Sequence, residues 1–93
     1  MPISIIVPHA LTPYSRGSDT VVVEEPCATV ADALAAVAAQ WPALADRVLT
    51  EQGEVRQHVN VFVGEESIRF TNGLFTTVAD GATITIVPAV SGG

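Results

Sequence analysis

Apolar and polar residues alternate near both ends of the chain, a pattern that predicts β-strands. Ile3, Ile5 and Val7 occupy every second position, so their side chains fall on one face of a first strand. A turn-rich connection over 11–19 leads to a β-branched run at 20–23. We expect these two strands to pair as an antiparallel hairpin.

Three more strands are predicted in the second half. Alternating valines mark 59–63, a returning segment follows at 67–70, and alternating isoleucines mark 83–87. A tight turn at 64–66 joins the first two, and a compact excursion over 71–78 precedes the third. The apolar positions of each strand are expected to face one core.

Between the two groups of strands, the period changes to that of a helix. Thr29 with Asp32 fits a capping box, and Pro42 should end the helix at Trp41 and start a shorter one over 43–50. The stripe expected to lie on the sheet consists of Val30, Leu34, Val37 and Trp41. This order of elements predicts one α+β domain of the β-grasp type, a roll in which a mixed sheet of about five strands packs on one main helix. With a helical crossover between them, the first and last strands would run parallel at the centre.

Composition restricts the classes of partner. Ten acidic residues against four arginines give a formal charge of −6, which repels a phosphate backbone, so we expect no nucleic acid partner. No apolar run approaches the ~18 residues of a spanning helix, and no signal peptide is recognisable, so we expect no membrane association and a cytoplasmic location.

Few side chains suggest chemistry of their own. Cys27 precedes the main helix, where the dipole could lower the pKa of a thiol, but an inert, half-buried thiol is the simpler interpretation. His9 and His58 have no second ligand at metal spacing, so no metal site is predicted. Adjacent Glu65 and Glu66 would point in different directions and are interpreted as a solvated tip.

The sequence closes on Gly92-Gly93, and a terminal glycine leaves a carboxyl group that is sterically open to attack. With the strand behind it, the Asp80-Gly81 turn and the Pro88-Ala89-Val90-Ser91 spacer, this ending resembles the ubiquitin-like sulfur carriers, the family that includes MoaD, ThiS and CysO. The resemblance is closest to the CysO type used in cysteine biosynthesis. It implies a β-grasp domain over 1–88 and a flexible diglycine tail over 89–93.

The same resemblance implies a protein that is not itself an enzyme and binds no cofactor. An E1-like enzyme would use ATP to adenylate Gly93, next to Gly92, and a sulfur donor would convert the adenylate to a thiocarboxylate. The sulfur would pass to a cysteine synthase-like enzyme that depends on pyridoxal phosphate, to the large subunit of molybdopterin synthase, or to another thio-metabolite. The expected partner-binding residues on the sheet face opposite the helix and in the tail are Pro8, Phe62, Arg69, Val87, Pro88, Ala89, Val90 and Ser91.

Two alternatives stay open at this point. Phe62 and Val87 could fill small satellite clusters instead of forming a docking surface. The chain could also be a ubiquitin-like protein modifier or a plain interaction module, although it has no lysine on which its own copies could form isopeptide chains.

Overall fold

The computed structural model describes residues 2–88, which form a five-stranded mixed sheet with the helices packed on one face. The strands are β1 (Ile3–Ile6), β2 (Thr20–Val23), β3 (Val59–Val63), β4 (Glu66–Ser67) and β5 (Thr83–Pro88), and the helices are α1 (Val30–Gln40) and α2 (Pro42–Val48). The order across the sheet is β2-β1-β5-β3-β4. The predicted β-grasp arrangement is confirmed.

The centre of the sheet has the predicted parallel pair. β1 runs parallel to β5 with Ile5 opposite Ile84, while β1 pairs antiparallel with β2. β5 is also bonded along its other edge, because it pairs antiparallel with β3 from Ile84 to Pro88. The first half of β5 is therefore held on both sides, and Ile86–Pro88 are held by β3.

One face of the sheet packs against the helices and forms the core. Ile5, Ile84, Leu34 and Leu44 are at most 1% exposed, in agreement with the alternating strand pattern and the helical stripe. Burial of each such aliphatic side chain stabilises the fold by about 1.5–3 kcal/mol. In each strand, the residues that alternate with these buried ones point to the opposite face of the sheet, away from the helices.

Both predicted boundaries of α1 are confirmed, whereas the shorter helix predicted over 43–50 spans Pro42–Val48, because the backbone is already extended at Leu49. The Thr29 hydroxyl accepts a hydrogen bond from the Asp32 amide at 3.3 Å, and the Asp32 carboxylate accepts one from the Thr29 amide at 3.2 Å, which together form the capping box. Trp41 ends α1, and Pro42 occupies the first turn of α2, where a proline loses no hydrogen bond.

The connection between β1 and β2 contains more structure than the predicted turn. His9–Ser15 forms a 3₁₀ helix that includes Pro13 and ends at Arg16, which adopts the left-handed conformation with φ of 59°. Turn-forming residues are also common in short 3₁₀ helices, so the sequence did not distinguish a turn from a 3₁₀ helix.

The predicted strand over 67–70 is wrong beyond Ser67. Ile68–Phe70 forms a single 3₁₀ turn, because the Ser67 hydroxyl accepts a hydrogen bond from the Arg69 amide at 3.3 Å and turns the chain away from the sheet. Ile68 becomes buried, whereas Phe70 is 87% exposed. The predicted turn at 64–66 is also shorter, since Glu66 already belongs to β4.

The segment that follows, 71–78, is hydrogen-bonded to the start of α1. It contains a second 3₁₀ turn, Gly73–Phe75, and the Val30 amide donates to the Thr76 carbonyl at 3.0 Å. The Val78 amide donates to the Ala28 carbonyl, also at 3.0 Å. Within residues 2–88, no helix combines the length and the hydrophobicity required to cross a membrane.

Candidate functional site

The carboxyl end of β5 and its neighbours on the solvent face form the candidate site. Burial of Ile84 and Ile86 places Val87 on the opposite face, where it is 38% exposed and lies across from Asn60 of β3. Phe62 is half-buried and shares this face, since it alternates with buried residues of β3. An apolar surface thus lies next to the point where the tail begins.

Pro8 is also half-buried and follows β1 by two residues. Pro88 is the last residue of β5, is half-buried, and pairs with Val59 of β3. The other predicted tail residues, Ala89, Val90, Ser91, Gly92 and Gly93, lie outside the described part of the chain.

Arg69 does not project from a strand as predicted, because it belongs to the 3₁₀ turn after β4. Its Nε donates to the side-chain oxygen of Asn60 at 3.0 Å. Its Nη2 donates to the carbonyl of Gln57 at 3.0 Å and to that of Val59 at 3.1 Å. The guanidinium therefore binds the outer edge of β3 and reaches the solvent face only through Asn60.

The environment of Cys27 opposes the interpretation as an activated thiol. Burial, and then the negative charges of Asp32 and Glu25, raise the pKa of the Cys27 thiol above its usual range. Its Sγ donates to the Glu25 carbonyl at 3.3 Å. The capping carboxylate that stabilises the start of α1 thus also disfavours a thiolate beside it.

Other chemistry finds little support on the described surface. Among residues 2–88, no three or more His, Cys, Asp or Glu side chains are grouped so as to hold a metal ion. Glu65 and Glu66 are both exposed at the tip between β3 and β4, as expected for a solvated tip.

The sequence did not predict an apolar groove beside β3. This cavity of about 230 Å³ lies between β3 and the 3₁₀ turns Ile68–Phe70 and Gly73–Phe75. Its lining residues are Glu54, Val55, Val59, Val61, Ile68, Arg69, Gly73 and Leu74. Phe70 and Phe75, the last residues of these two turns, are exposed. A segment without periodicity gives no signal that separates a buried phenylalanine from an exposed one.

Comparison with known proteins places this geometry in a family. The ThiS family model matches residues 6–93. Sulfur carrier protein CysO from Mycobacterium tuberculosis is 30% identical over 95 aligned positions, which cover all of both chains. Small archaeal modifier protein 1 from Haloferax volcanii is 40% identical over 78 positions, which cover 83% of this chain and 85% of that protein.

Solved structures agree with the sequence relationship. A chain from the crystal structure of the Amycolatopsis orientalis BexX/CysO complex superposes with a TM-score of 0.86 at 33% identity, covering 98% of this chain and 99% of that one. SAMP1 from Haloferax volcanii superposes with a TM-score of 0.83 at 34% identity, covering both chains completely. A family match across most of the chain, with relatives similar over their full length, establishes the relationship: this chain belongs to the ThiS family.

Proposed function

We propose that the chain is a sulfur carrier of the ThiS/CysO type and that the carboxyl group of Gly93 holds the sulfur. The observation that carries this proposal is the similarity to sulfur carrier protein CysO over the full length of both chains. The diglycine ending supplies the sterically open carboxyl group that such a role requires.

The proposed chemistry takes place on partner enzymes. On an E1-like enzyme, a Gly93 carboxylate oxygen attacks the α-phosphorus of ATP, and the bond to the β-phosphate breaks to release pyrophosphate. A sulfur donor equivalent to hydrosulfide then attacks the acyl carbon, expels AMP, and gives a thiocarboxylate with release of a proton. A carboxylate oxygen is a poor leaving group until adenylation, so the nucleotide makes the exchange possible.

In this proposal the chain presents its terminal carboxyl group to the partner enzymes and does not itself catalyse a step. β5 pairs with β1 over Thr83–Thr85 and with β3 as far as Pro88, so its last residues, the root of the tail, are fixed by β3 and by the buried Ile86. Five further residues span at most about 17 Å when extended, enough to enter a deep active site. Two glycines allow passage where a side chain would not fit.

The solvent face beside this root is the proposed docking surface for the activating enzyme. Val87 is exposed next to the last residue of β5, and Phe62 lies on the same face. The net charge of −6 suits a basic surface on that enzyme. Exposed apolar side chains within a polar surround are typical of protein interfaces.

Cysteine biosynthesis is the favoured pathway for the sulfur, because sulfur carrier protein CysO is similar over the full length of both chains. The receiving partner would be a cysteine synthase-like enzyme that depends on pyridoxal phosphate. The test is to incubate the thiocarboxylated chain with that enzyme and, in parallel, with a molybdopterin synthase large subunit. The protein that consumes the thiocarboxylate identifies the pathway that receives the sulfur.

The chain as isolated from its host tests the carrier proposal. Arg69 is the last basic residue, so trypsin releases the carboxyl end as the single peptide 70–93. A carrier yields a fraction of this peptide that is heavier by the mass difference between sulfur and oxygen. If only the unmodified carboxylate is found in cells that require the sulfur pathway for growth, the proposal is wrong.

A second candidate function is protein modification, favoured by the similarity to small archaeal modifier protein 1. A modifier would leave peptide 70–93 attached through Gly93 to lysines of other proteins after digestion with trypsin. The same mass-spectrometric experiment therefore separates the two functions.

A further inference from the structure

The outer edge of β3 is covered by two different kinds of structure. β4 pairs only with Phe62 and Val63 at one end of β3. Near the other end, the Arg69 guanidinium donates to the carbonyls of Gln57 and Val59, at 3.0 Å and 3.1 Å. A single side chain therefore satisfies edge carbonyls where a longer β4 would have supplied backbone amides.

These contacts fall directly opposite the end of β5. Val59 pairs with Pro88, and Asn60, whose side chain also accepts from Arg69, pairs with Val87. The amide of Val59 is directed elsewhere, to the carbonyl of Arg56 at 3.0 Å.

We propose that Arg69 is a positioning residue: by fixing Val59 and Asn60, it holds Val87 and Pro88, the end of β5, in the place from which Gly93 is presented. This inference rests on the proposed carrier function, in which Gly93 must reach a reacting phosphorus atom. Nε and Nη2 are engaged within the chain, so the proposed action of Arg69 runs through the root of the tail, although its side chain is exposed.

The experiment measures ATP–pyrophosphate exchange by the purified E1-like enzyme from the same organism, with this chain as the varied substrate. For Arg69→Gln we expect kcat to fall about tenfold or more while KM changes less than about twofold, since misplacement of a reacting group lowers turnover and leaves the docking surface intact. Arg69→Lys should restore only part of the rate, because an ammonium group lacks the guanidinium fork.

Arg56→Gln is the matched control. It removes the same charge and also a guanidinium that binds a backbone carbonyl, since Arg56 Nε donates to the Asp46 carbonyl at 2.8 Å. The substitution keeps the Arg56 backbone carbonyl that accepts from the Val59 amide. The guanidinium that it removes is bonded to Asp46 and not to the two carbonyls that Arg69 holds, so we expect kcat and KM close to those of the unsubstituted chain.

Hydrogen exchange gives a readout that is independent of the enzyme. In Arg69→Gln, the amides of Asn60 and Val87 should exchange faster, while amides of the β1–β2 pair keep their rates. If Arg69→Gln does not fold, as judged by circular dichroism, Asn60→Ala removes one of the three acceptors and should give a smaller change in the same direction.

Three results would overturn the inference. A rise in KM at constant kcat would make Arg69 a docking residue, unchanged kinetics would deny it a role, and equal losses in the Arg56 control would indicate a general charge effect. If the unsubstituted chain supports no exchange, the proposed function fails instead. The hydrogen-exchange comparison still decides whether Arg69 holds the end of β5.

Discussion

Val61 and Ile86 face each other across the β3–β5 ladder, and both are buried, with exposures of 0% and 1%. The strand that leads to the tail is thus anchored in the core two residues before it ends. This relationship joins the stability of the domain to the placement of the tail, because the same side chain that fills the core also fixes the register of Val87 and Pro88.

Truncation of Ile86 tests this anchoring. Ile86→Ala should lower the free energy of unfolding by about 2–5 kcal/mol, since it removes buried methyl groups and leaves a cavity. Thr83→Ala is the control on the same strand, because Thr83 is exposed on the opposite face, and it should cost about 1 kcal/mol or less. Urea denaturation measures both, and similar losses in the two variants would contradict the assigned faces.

Two exposed valines on the solvent face allow a matched test of the docking surface. Val87 is 38% exposed beside the tail, whereas Val22 is 43% exposed on β2 at one edge of the sheet. A buried charge at an interface is costly, so Val87→Asp should raise KM for the E1-like enzyme about tenfold or more. Val22→Asp introduces the same side chain on a strand and should leave KM nearly unchanged.

Melting temperatures of the two aspartate variants provide the necessary control, because an aspartate in a strand lowers stability by itself. We expect the two variants to lose similar amounts of stability. A larger KM for Val22→Asp than for Val87→Asp would place the docking surface elsewhere on the sheet.

The raised pKa of Cys27 predicts slow reaction with an alkylating reagent. Only the thiolate reacts, and a raised pKa lowers the thiolate fraction at neutral pH. The rate of alkylation of the folded chain by iodoacetamide should therefore increase with a midpoint at higher pH than for the urea-unfolded chain. Cys27→Ser should leave sulfur loading unchanged. A midpoint below that of the unfolded chain would restore the interpretation as an activated thiol.

The sequence predicted those elements whose burial repeats at a regular spacing. Alternation identified β3 and β5, and the helical stripe together with Thr29 and Asp32 identified α1, because periodic burial and local capping are both encoded by neighbouring residues. The same logic correctly placed Val87 on the face opposite the helices.

Features that leave no periodic pattern in the sequence were missed. The three residues of Ile68–Phe70 are too few to show a period, and Ser67 redirects them through one side-chain hydrogen bond. Arg69 binds carbonyl groups ten and twelve positions earlier, and backbone carbonyls leave no signature in a sequence. The groove beside β3 likewise arises only when separate segments come together.

The measurement that tests the central claim most directly is the intact mass of the chain after incubation with the E1-like enzyme, ATP and sulfide. The account predicts a product heavier by the difference between sulfur and oxygen, dependent on ATP. The product should be lost when Gly93 is deleted, while the melting temperature stays within about 2 °C because a chain end contributes little to the core. A carrier already known to be thiocarboxylated by the same enzyme serves as the positive control. If that carrier gains sulfur and this chain keeps its mass, or if the heavier product still forms without Gly93, the account is contradicted.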